Sequence, residues 1–294
     1  MRVGFIGLGR MGYGMGCSIA REGFDLYVFN RTAEKAERFV GECGGRALKT
    51  PREVGEVSDV IHIMVSDNEA VGHMIWGKDG LIETLTPGKV VVVSSTITPQ
   101  FSMLVQSFVG NKGARYVEAP VLGSVSEARE GKLITYVGGL EEDAELSTVK
   151  AFSRQVFYVG EVPKASALKL AINNLFLTII PALATSLGLA KGWGIGEEEF
   201  IRYVESTWMK VIIDRYKERG LNEQFPTRFP IYLAAKDLKY VSEALRGVNL
   251  PAIMPDAAAN LYLEAALHGM GSKDYSNLLV FMRWLIESGG RRER

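Results

Sequence analysis

M-R-V-G-F-I-G-L-G-R-M-G-Y-G-M-G-C-S-I-A-R-E-G-F-D-L-Y-V-F-N-R-T, residues 1–32, decides the fold. Residues 1–6 are apolar apart from Arg2, and G-L-G-R-M-G follows at 7–12. Residues 15–20 read as the start of a helix and 26–29 as a second strand. Strand, glycine turn, helix, strand is the order a dinucleotide-binding unit requires. Gly7 allows the tight turn, Gly9 lets the backbone approach a pyrophosphate, and Gly12 lets the helix pack close to the sheet. The turn residues Gly7, Leu8, Gly9, Arg10, Met11 and Gly12 are therefore the expected cofactor cradle. The helix that follows offers free N–H groups and a partial positive charge to phosphates.

The end of the second strand distinguishes two cofactors. NAD units place an Asp or Glu there to bond the ribose hydroxyls. This chain has Asn30, Arg31 and Thr32 instead. A carboxylate would repel a ribose phosphate, whereas Arg holds one through parallel charge-assisted bonds. NADP is the expected cofactor; the competing reading is that Arg31 merely ends the strand in solvent.

The 294 residues suit one large domain or two ordinary ones. Lys plus Arg number 34, and so do Asp plus Glu, so nothing in the charge argues for a nucleic acid or an anionic membrane as partner. Two cysteines are too few for a disulfide framework, and Cys17 reads as a small core residue. His62, His73 and His268 lack metal-ligand spacing, so no metal is expected. With no signal-peptide layout at the start, the expected location is cytoplasmic. The apolar stretch 175–190 carries Pro181 and is shorter than the roughly 20 residues of a bilayer span, so it reads as a buried helix. The tail Arg291-Arg292-Glu293-Arg294 reads as a frayed, solvated end.

Residues 60–65 and 89–94 are near-continuous apolar runs, as buried parallel strands are. Further strands are expected at 115–119, 133–137 and 157–159, with helices between most of them. This gives an α/β, doubly wound Rossmann domain over 1–162. Helices are expected at 165–192, 197–219, 230–246, 251–268 and 274–288, an all-helical domain over 163–294 joined to the first by the long helix.

Ligands of such a sheet bind beyond the carboxyl ends of its strands. Val65 and Ser66 lie there, as do Thr96 and the loop A-P-V-L-G-S at 119–124. Lys169 and Asn173, four apart, share one face of the long helix. Desolvation, together with a cationic nicotinamide, would lower a lysine's pKa toward that of a general acid/base. Helix spacing alone fits equally a lysine that extends its ammonium to solvent.

These segments carry a resemblance to the β-hydroxyacid dehydrogenase family, which includes 3-hydroxyisobutyrate dehydrogenase and glyoxylate/succinic semialdehyde reductase. G-F-I-G-L-G-R-M-G (4–12) is similar to its cofactor signature, and S-S-T-I-T-P (94–99) resembles its D-x-S-T-x-x-P loop. A-P-V-L-G-S-V-S-E-A-R-E-G-K-L (119–133) resembles its substrate loop, D-A-P-V-S-G-G-x-x-G-A-x-x-G-T-L. A-L-K-L-A-I-N-N (167–174) resembles its K-x-x-x-N-N helix, and F-P-I-Y-L-A-A-K-D-L (229–238) and G-M-G-S-K-D-Y-S (269–276) its C-terminal markers. The resemblance runs nearly end to end.

The resemblance implies that Lys169 is the catalytic lysine and Asn173 the substrate-binding asparagine. It places Thr96 at the cofactor–substrate junction, Phe229 beside the nicotinamide, and Lys236 with Asp237 along the same cleft. The family's serine in P-V-S-G is Leu122 here, which leaves Gly123 and Ser124 as the expected holders of a substrate carboxylate. Trp208 either closes the pocket or belongs to the core, and Asp237 could meet a substrate ammonium. The expected activity is NADP-dependent interconversion of a small 3-hydroxy acid, of the L-serine or 3-hydroxyisobutyrate type, and its semialdehyde. Alternatives are a glyoxylate/succinic semialdehyde reductase, an imine reductase or a non-catalytic cofactor-binding module; the presence of Lys169 argues against the imine reductase. A homodimer or homotetramer follows from the resemblance.

Overall fold

The residues from Val3 to Ile6 are all buried, as in a strand covered on both faces. The computed structural model describes residues 1–289, which fall into two units, 1–169 and 170 onward. The arginine-rich tail lies outside the described residues.

The first unit alternates strand and helix: β1 (Arg2–Ile6), α1 (Arg10–Arg21), β2 (Asp25–Phe29), α2 (Ala33–Cys43), β3 (Arg46–Ala47), α3 (Pro51–Val57), β4 (Val60–Ile63), α4 (Asn68–Trp76), β5 (Val90–Val93), α5 (Pro99–Gly110), β6 (Arg115–Glu118), β7 (Val121–Leu122), α6 (Val125–Glu130), β8 (Leu133–Gly138), α7 (Ser147–Lys150) and β9 (Ser153–Gly160). The sheet runs β3-β2-β1-β4-β5-β6-β8-β7, with β9 on β8. The strands from β1 to β6 pair in parallel, and β8 is antiparallel to both β6 and β7. The order reverses between β1 and β4, so a ligand crevice is expected beyond their carboxyl ends. Alternate side chains feed two cores. Val3, Phe5 and Val28 pack with Met15, Ile19 and Phe39 on one face, while Ile6, Ile61 and Val91 pack with Ile75 and Val105 on the other.

Three expectations need correction in the first unit. Cys17 and Cys43 form a disulfide, with Cα atoms 5.2 Å apart. Helices α1 and α2 approach closely at Gly16, where an added Cβ would stand 2.9 Å from Phe39, and this brings together cysteines 26 residues apart in sequence. The last strand is longer than expected: β9 occupies Ser153–Gly160, where pairing to β8 recruits polar residues. The sheet also gains β3 and β7, two-residue strands too short to show a periodic pattern. Further corrections lie in the second unit.

The long helix α8 (Lys164–Gly192) runs from the first unit into the second. The second unit continues with α9 (Glu197–Glu205), α10 (Lys210–Leu221), α11 (Ile231–Gly247), α12 (Ile253–Ala265) and α13 (Leu278–Gly289). Its core gathers Leu177, Ile180 and Leu187 of α8 with Leu238, Tyr262 and Phe281. The single helix expected over 197–219 is two. Ser206 and Thr207 donate their hydroxyls back to the carbonyls of Tyr203 and Val204, a local competition that ends α9. The helix expected over 251–268 is α12 followed by a π-type turn over Ala266–Met270, where His268 and the left-handed Gly269 (φ 85°) leave helical geometry. The helix expected from 274 begins at Leu278, after a 3₁₀ turn over Tyr275–Asn277 that the Asp274 side chain caps.

Candidate active site

In the first unit, β1 delivers its chain directly into the glycine turn. Gly7 has φ 100°, and a Cβ there would lie 2.2 Å from the Met64 carbonyl oxygen, so only glycine fits. At Gly12 a Cβ would lie 2.0 Å from the Gly7 oxygen, which fixes how closely α1 enters. Gly9 has nothing within 4 Å of its Cβ position, and no side chain caps the start of α1. Open space over Gly9 beside a bare helix N-terminus suits a pyrophosphate held by the Leu8, Arg10 and Met11 segment.

Asn30 has a different role from the one expected of a ribose contact. Its Oδ1 accepts from the Leu8 N–H (3.0 Å) and its Nδ2 donates to the Thr32 carbonyl (3.0 Å). The carboxamide thus ties the glycine turn to the end of β2. Arg31 and Thr32 beside it are exposed. Beyond β4, the Val65 N–H donates to Ser95 Oγ (2.8 Å), Ser66 Oγ donates to Asp67 (2.6 Å), and Thr96 is half-buried.

Glu118 organises the start of the substrate loop. It is 1% exposed and accepts from Ser102 Oγ (2.5 Å), from Ser166 Oγ and from the Ala165 N–H (3.0 Å). Burial pushes its carboxyl up, against the pull of these hydrogen bonds. The end of β6 is thereby fixed to the first turn of α8, and Lys169 follows one turn later. Lys169 is 8% exposed.

The loop leaves β6 through Ala119 and Pro120, and Leu122 is half-buried. The donors expected at Ser124 are engaged within the loop: its N–H and its Oγ both donate to Glu127 Oε2, at 2.7 and 2.8 Å.

In the second unit the structure brings three of the expected residues together. Asn173 Nδ2 donates to Asp237 Oδ2 (2.7 Å), and Lys236 Nζ pairs with Asp237 Oδ1 (2.7 Å) while lying 4.8 Å from the Tyr240 ring centroid. Asn173 and Asp237 are 7% and 2% exposed. Asp237 thus takes one side chain on each of its carboxylate oxygens. Phe229 is held from behind by Asp274, whose carboxylate accepts from the Arg228 and Phe229 N–H groups (2.9 and 3.2 Å) and from Arg219 Nη2 (2.9 Å). Trp208 stands apart from this cluster. It is 83% exposed, in the break between α9 and α10, and is not a core residue.

Sequence reasoning missed Glu118, Glu127 and Asp274. Glu127 alone carried a local signal, because it stands three residues after Ser124, the spacing of a capping box. Most partners of Glu118 and Asp274 are distant in sequence, such as Ala165 for Glu118 and Arg219 for Asp274, 47 and 55 residues away, so sequence alone could not supply them.

Comparison with known proteins agrees with this architecture. Residues 2–160 match the NAD binding domain of 6-phosphogluconate dehydrogenase. Residues 164–282 match the NAD-binding domain of NADP-dependent 3-hydroxyisobutyrate dehydrogenase. Glyoxylate/succinic semialdehyde reductase 1 of Arabidopsis thaliana is 29% identical over 98% of this chain and 100% of its own length. The cytokine-like nuclear factor N-PAC of Anopheles gambiae is 30% identical over 97% of the chain, which spans half of that protein. Among solved structures, the 3-hydroxyisobutyrate dehydrogenase of Mycobacterium tuberculosis with L-serine has a TM-score of 0.83 at 21% identity, covering 96% of this chain and 99% of that one.

Proposed function

This chain belongs to the β-hydroxyacid dehydrogenase family, and on that premise we propose that it is an NADP-preferring oxidoreductase that interconverts a small 3-hydroxy acid and its semialdehyde. The observation that carries the reading is Lys169, an ammonium-bearing side chain 8% exposed, one helical turn before an Asn173 fixed by Asp237. A lysine amine held at a buried position one turn from a fixed carboxamide is suited to proton exchange at a substrate oxygen.

When bound, the nicotinamide supplies the acceptor or donor of the hydride. The chain's own residues do the rest. The Gly7–Gly12 turn would hold the pyrophosphate, and Arg31 with Thr32 would hold the 2′-phosphate. In oxidation the Lys169 amine accepts the substrate hydroxyl proton; in reduction the ammonium returns it to the carbonyl oxygen. Asn173, oriented by Asp237, positions the substrate oxygen for that transfer. The family resemblance assigns Phe229, Lys236 and Thr96 to contacts that the nicotinamide would make when bound.

The exposed apolar residues Leu175, Phe176, Leu189 and Trp193 of and just beyond α8 support a second proposal, that another copy of the chain covers them in a homodimer or tetramer. Light scattering on the purified protein reads this directly. The activity is tested by a scan of small hydroxy acids with NADP and of their aldehydes with NADPH, followed at the absorbance of the reduced cofactor. Turnover of a hydroxy acid or aldehyde supports the reading. A folded protein that binds NADPH but turns over none of them belongs instead with the cofactor-binding modules.

A further inference from the structure

We propose that Glu118 is a positioning residue for the acid/base: its buried carboxylate anchors the first turn of α8 and so fixes where Lys169, one turn later, presents its amine. This rests on the proposed oxidoreductase reading, in which Lys169 moves the substrate proton.

The first N–H groups of a helix have no partner inside it. Pro163, just before α8, has no N–H, and its carbonyl takes the first helical bond, from the Ala167 N–H (3.1 Å). That leaves the N–H groups of Lys164, Ala165 and Ser166. Lys164 donates to the Glu161 carbonyl (3.0 Å). Glu118 meets the other two from the end of β6, 47 residues before Ala165. The Ala165 N–H donates to its Oε2 (3.0 Å), the Ser166 N–H bonds the same carboxylate, and the Ser166 hydroxyl donates to its Oε1.

The carboxylate is itself held from behind. Ser102 of α5 donates to Oε1 (2.5 Å), which commits its one hydroxyl hydrogen, so the Tyr116 hydroxyl, 2.8 Å away, is the donor to Ser102. Gly138 of β8 leaves the space, since a Cβ there would collide with Oε2. Every donor points inward, as around an anion. At 1% exposure Glu118 is closed off from substrate and acts through the helix. Ser166 and Lys169 are three apart, so they share a helix face about 4.5 Å apart along the axis. A turn that slips or rotates at Ser166 carries the Lys169 amine with it. Misplacing a reacting group by about 1 Å costs on the order of 10²-fold in rate.

The test is a double-mutant cycle on kcat, with Glu118→Gln made in the wild type and in Lys169→Ala. Glutamine keeps the shape, but its Nε2 is a donor set among donors, so at least one bond to α8 or α5 is lost. In the wild-type background kcat is expected to fall about 10- to 100-fold, with NADP affinity changed less than about 2-fold. In Lys169→Ala the same change is expected to cost less than about 2-fold, because no amine is left to misplace. No loss in the wild type, or an equal loss in the two backgrounds, overturns the proposal and leaves Glu118 a structural cap. Should Glu118→Gln show no thermal transition, Ser166→Ala, which keeps the charge and removes one hydroxyl, goes through the same cycle, with a loss of at least about 3-fold expected in the wild-type background alone. Hydrogen–deuterium exchange needs no substrate. The Ala165 and Ser166 amides are expected to exchange at least about 10-fold faster in the variant than in the wild type. Unchanged exchange there also overturns the proposal. If the wild type turns over neither hydroxy acid nor aldehyde, the oxidoreductase reading fails on its own, while the exchange measurement still decides whether Glu118 anchors this turn.

Discussion

Replacing His62 should remove a specific part of this protein's acid sensitivity. His62 sits on β4, fully buried, with its ring stacked at 6.0 Å on Phe5 and edge-on at 5.8 Å to Phe152. Neither ring nitrogen has a hydrogen-bond partner among the described residues. Burial pushes its pKa down to about 3. The unfolded chain binds a proton below the ordinary histidine value of about 6.5, while the folded chain resists it until about 3, so stability is complete above pH 6.5 and falls as pH drops toward 3. The full gap corresponds to about 5 kcal/mol, of which about 2 kcal/mol is lost between pH 7 and pH 5. Leucine is close in volume and cannot titrate. Urea denaturation of the wild type and His62→Leu at pH 5, 6, 7 and 8, followed by circular dichroism, isolates the term as a difference, because all other groups titrate in both proteins. The variant is expected to lose about 2 kcal/mol less than the wild type on going from pH 7 to 5. At neutral pH it should be at least as stable within about 1 kcal/mol, since two unsatisfied ring nitrogens leave the core. Parallel stability–pH curves for the two proteins would refute the reasoning, because they would mean that His62 finds water or a partner in solution.

Two further changes probe the cofactor cleft and the support behind Phe229. Arg31→Ala should weaken NADP binding by about 10- to 150-fold, the loss of one bidentate charged contact, and leave NAD binding nearly unchanged; fluorescence titration of both reduced cofactors reads the difference. Asp274→Asn should cost about 3–5 kcal/mol in urea denaturation, because it leaves the buried Arg219 guanidinium without its counter-charge. Burial works to raise the Asp274 carboxyl, but hydrogen bonds from Ser276, Arg219 and Phe229 outweigh it and hold the pKa below the ordinary value. Its contribution is therefore present above the unfolded carboxylate pKa and lost as pH falls through the lower folded one.

What the sequence disclosed follows the range of the forces involved. The β1–glycine–α1 turn was legible because its constraints are local: Gly7 and Gly12 are required by atoms within the same strand–turn–helix unit and the adjoining β4 end. The long apolar runs of β4 and β5 were legible because a strand buried on both faces must be apolar throughout. The Lys169–Asn173 spacing was legible because helix geometry is regular. The Cys17–Cys43 disulfide was not, since it depends on how two helices pack side by side on one face of the sheet. The break at 206–209 was hidden by an amphipathic pattern that continues through it, while two hydroxyls took the backbone carbonyls. Glu118 and Asp274 look like ordinary acids in sequence; their meaning comes from donors that the fold assembles around them. Glu127 was the one missed residue with a local signal, since its bonds to Ser124 span only three residues.

The central claim is that Lys169 transfers the substrate proton, and the most direct measurement is the pH dependence of turnover in Lys169→Ala and Lys169→Arg, with NADP affinity measured alongside. Removal of a general acid/base typically costs about 10²–10⁴-fold, so Lys169→Ala should lose at least that in kcat and keep NADP affinity near the wild-type value. Lys169→Arg should rescue poorly, because a guanidinium with a pKa above about 12 cannot serve as the base in oxidation. The wild-type oxidation rate should rise with pH as the amine loses its proton, and the residual rate of Lys169→Ala should lack that rise. A folded Lys169→Ala protein that retains more than about a tenth of wild-type turnover, with the same pH profile, would contradict the account.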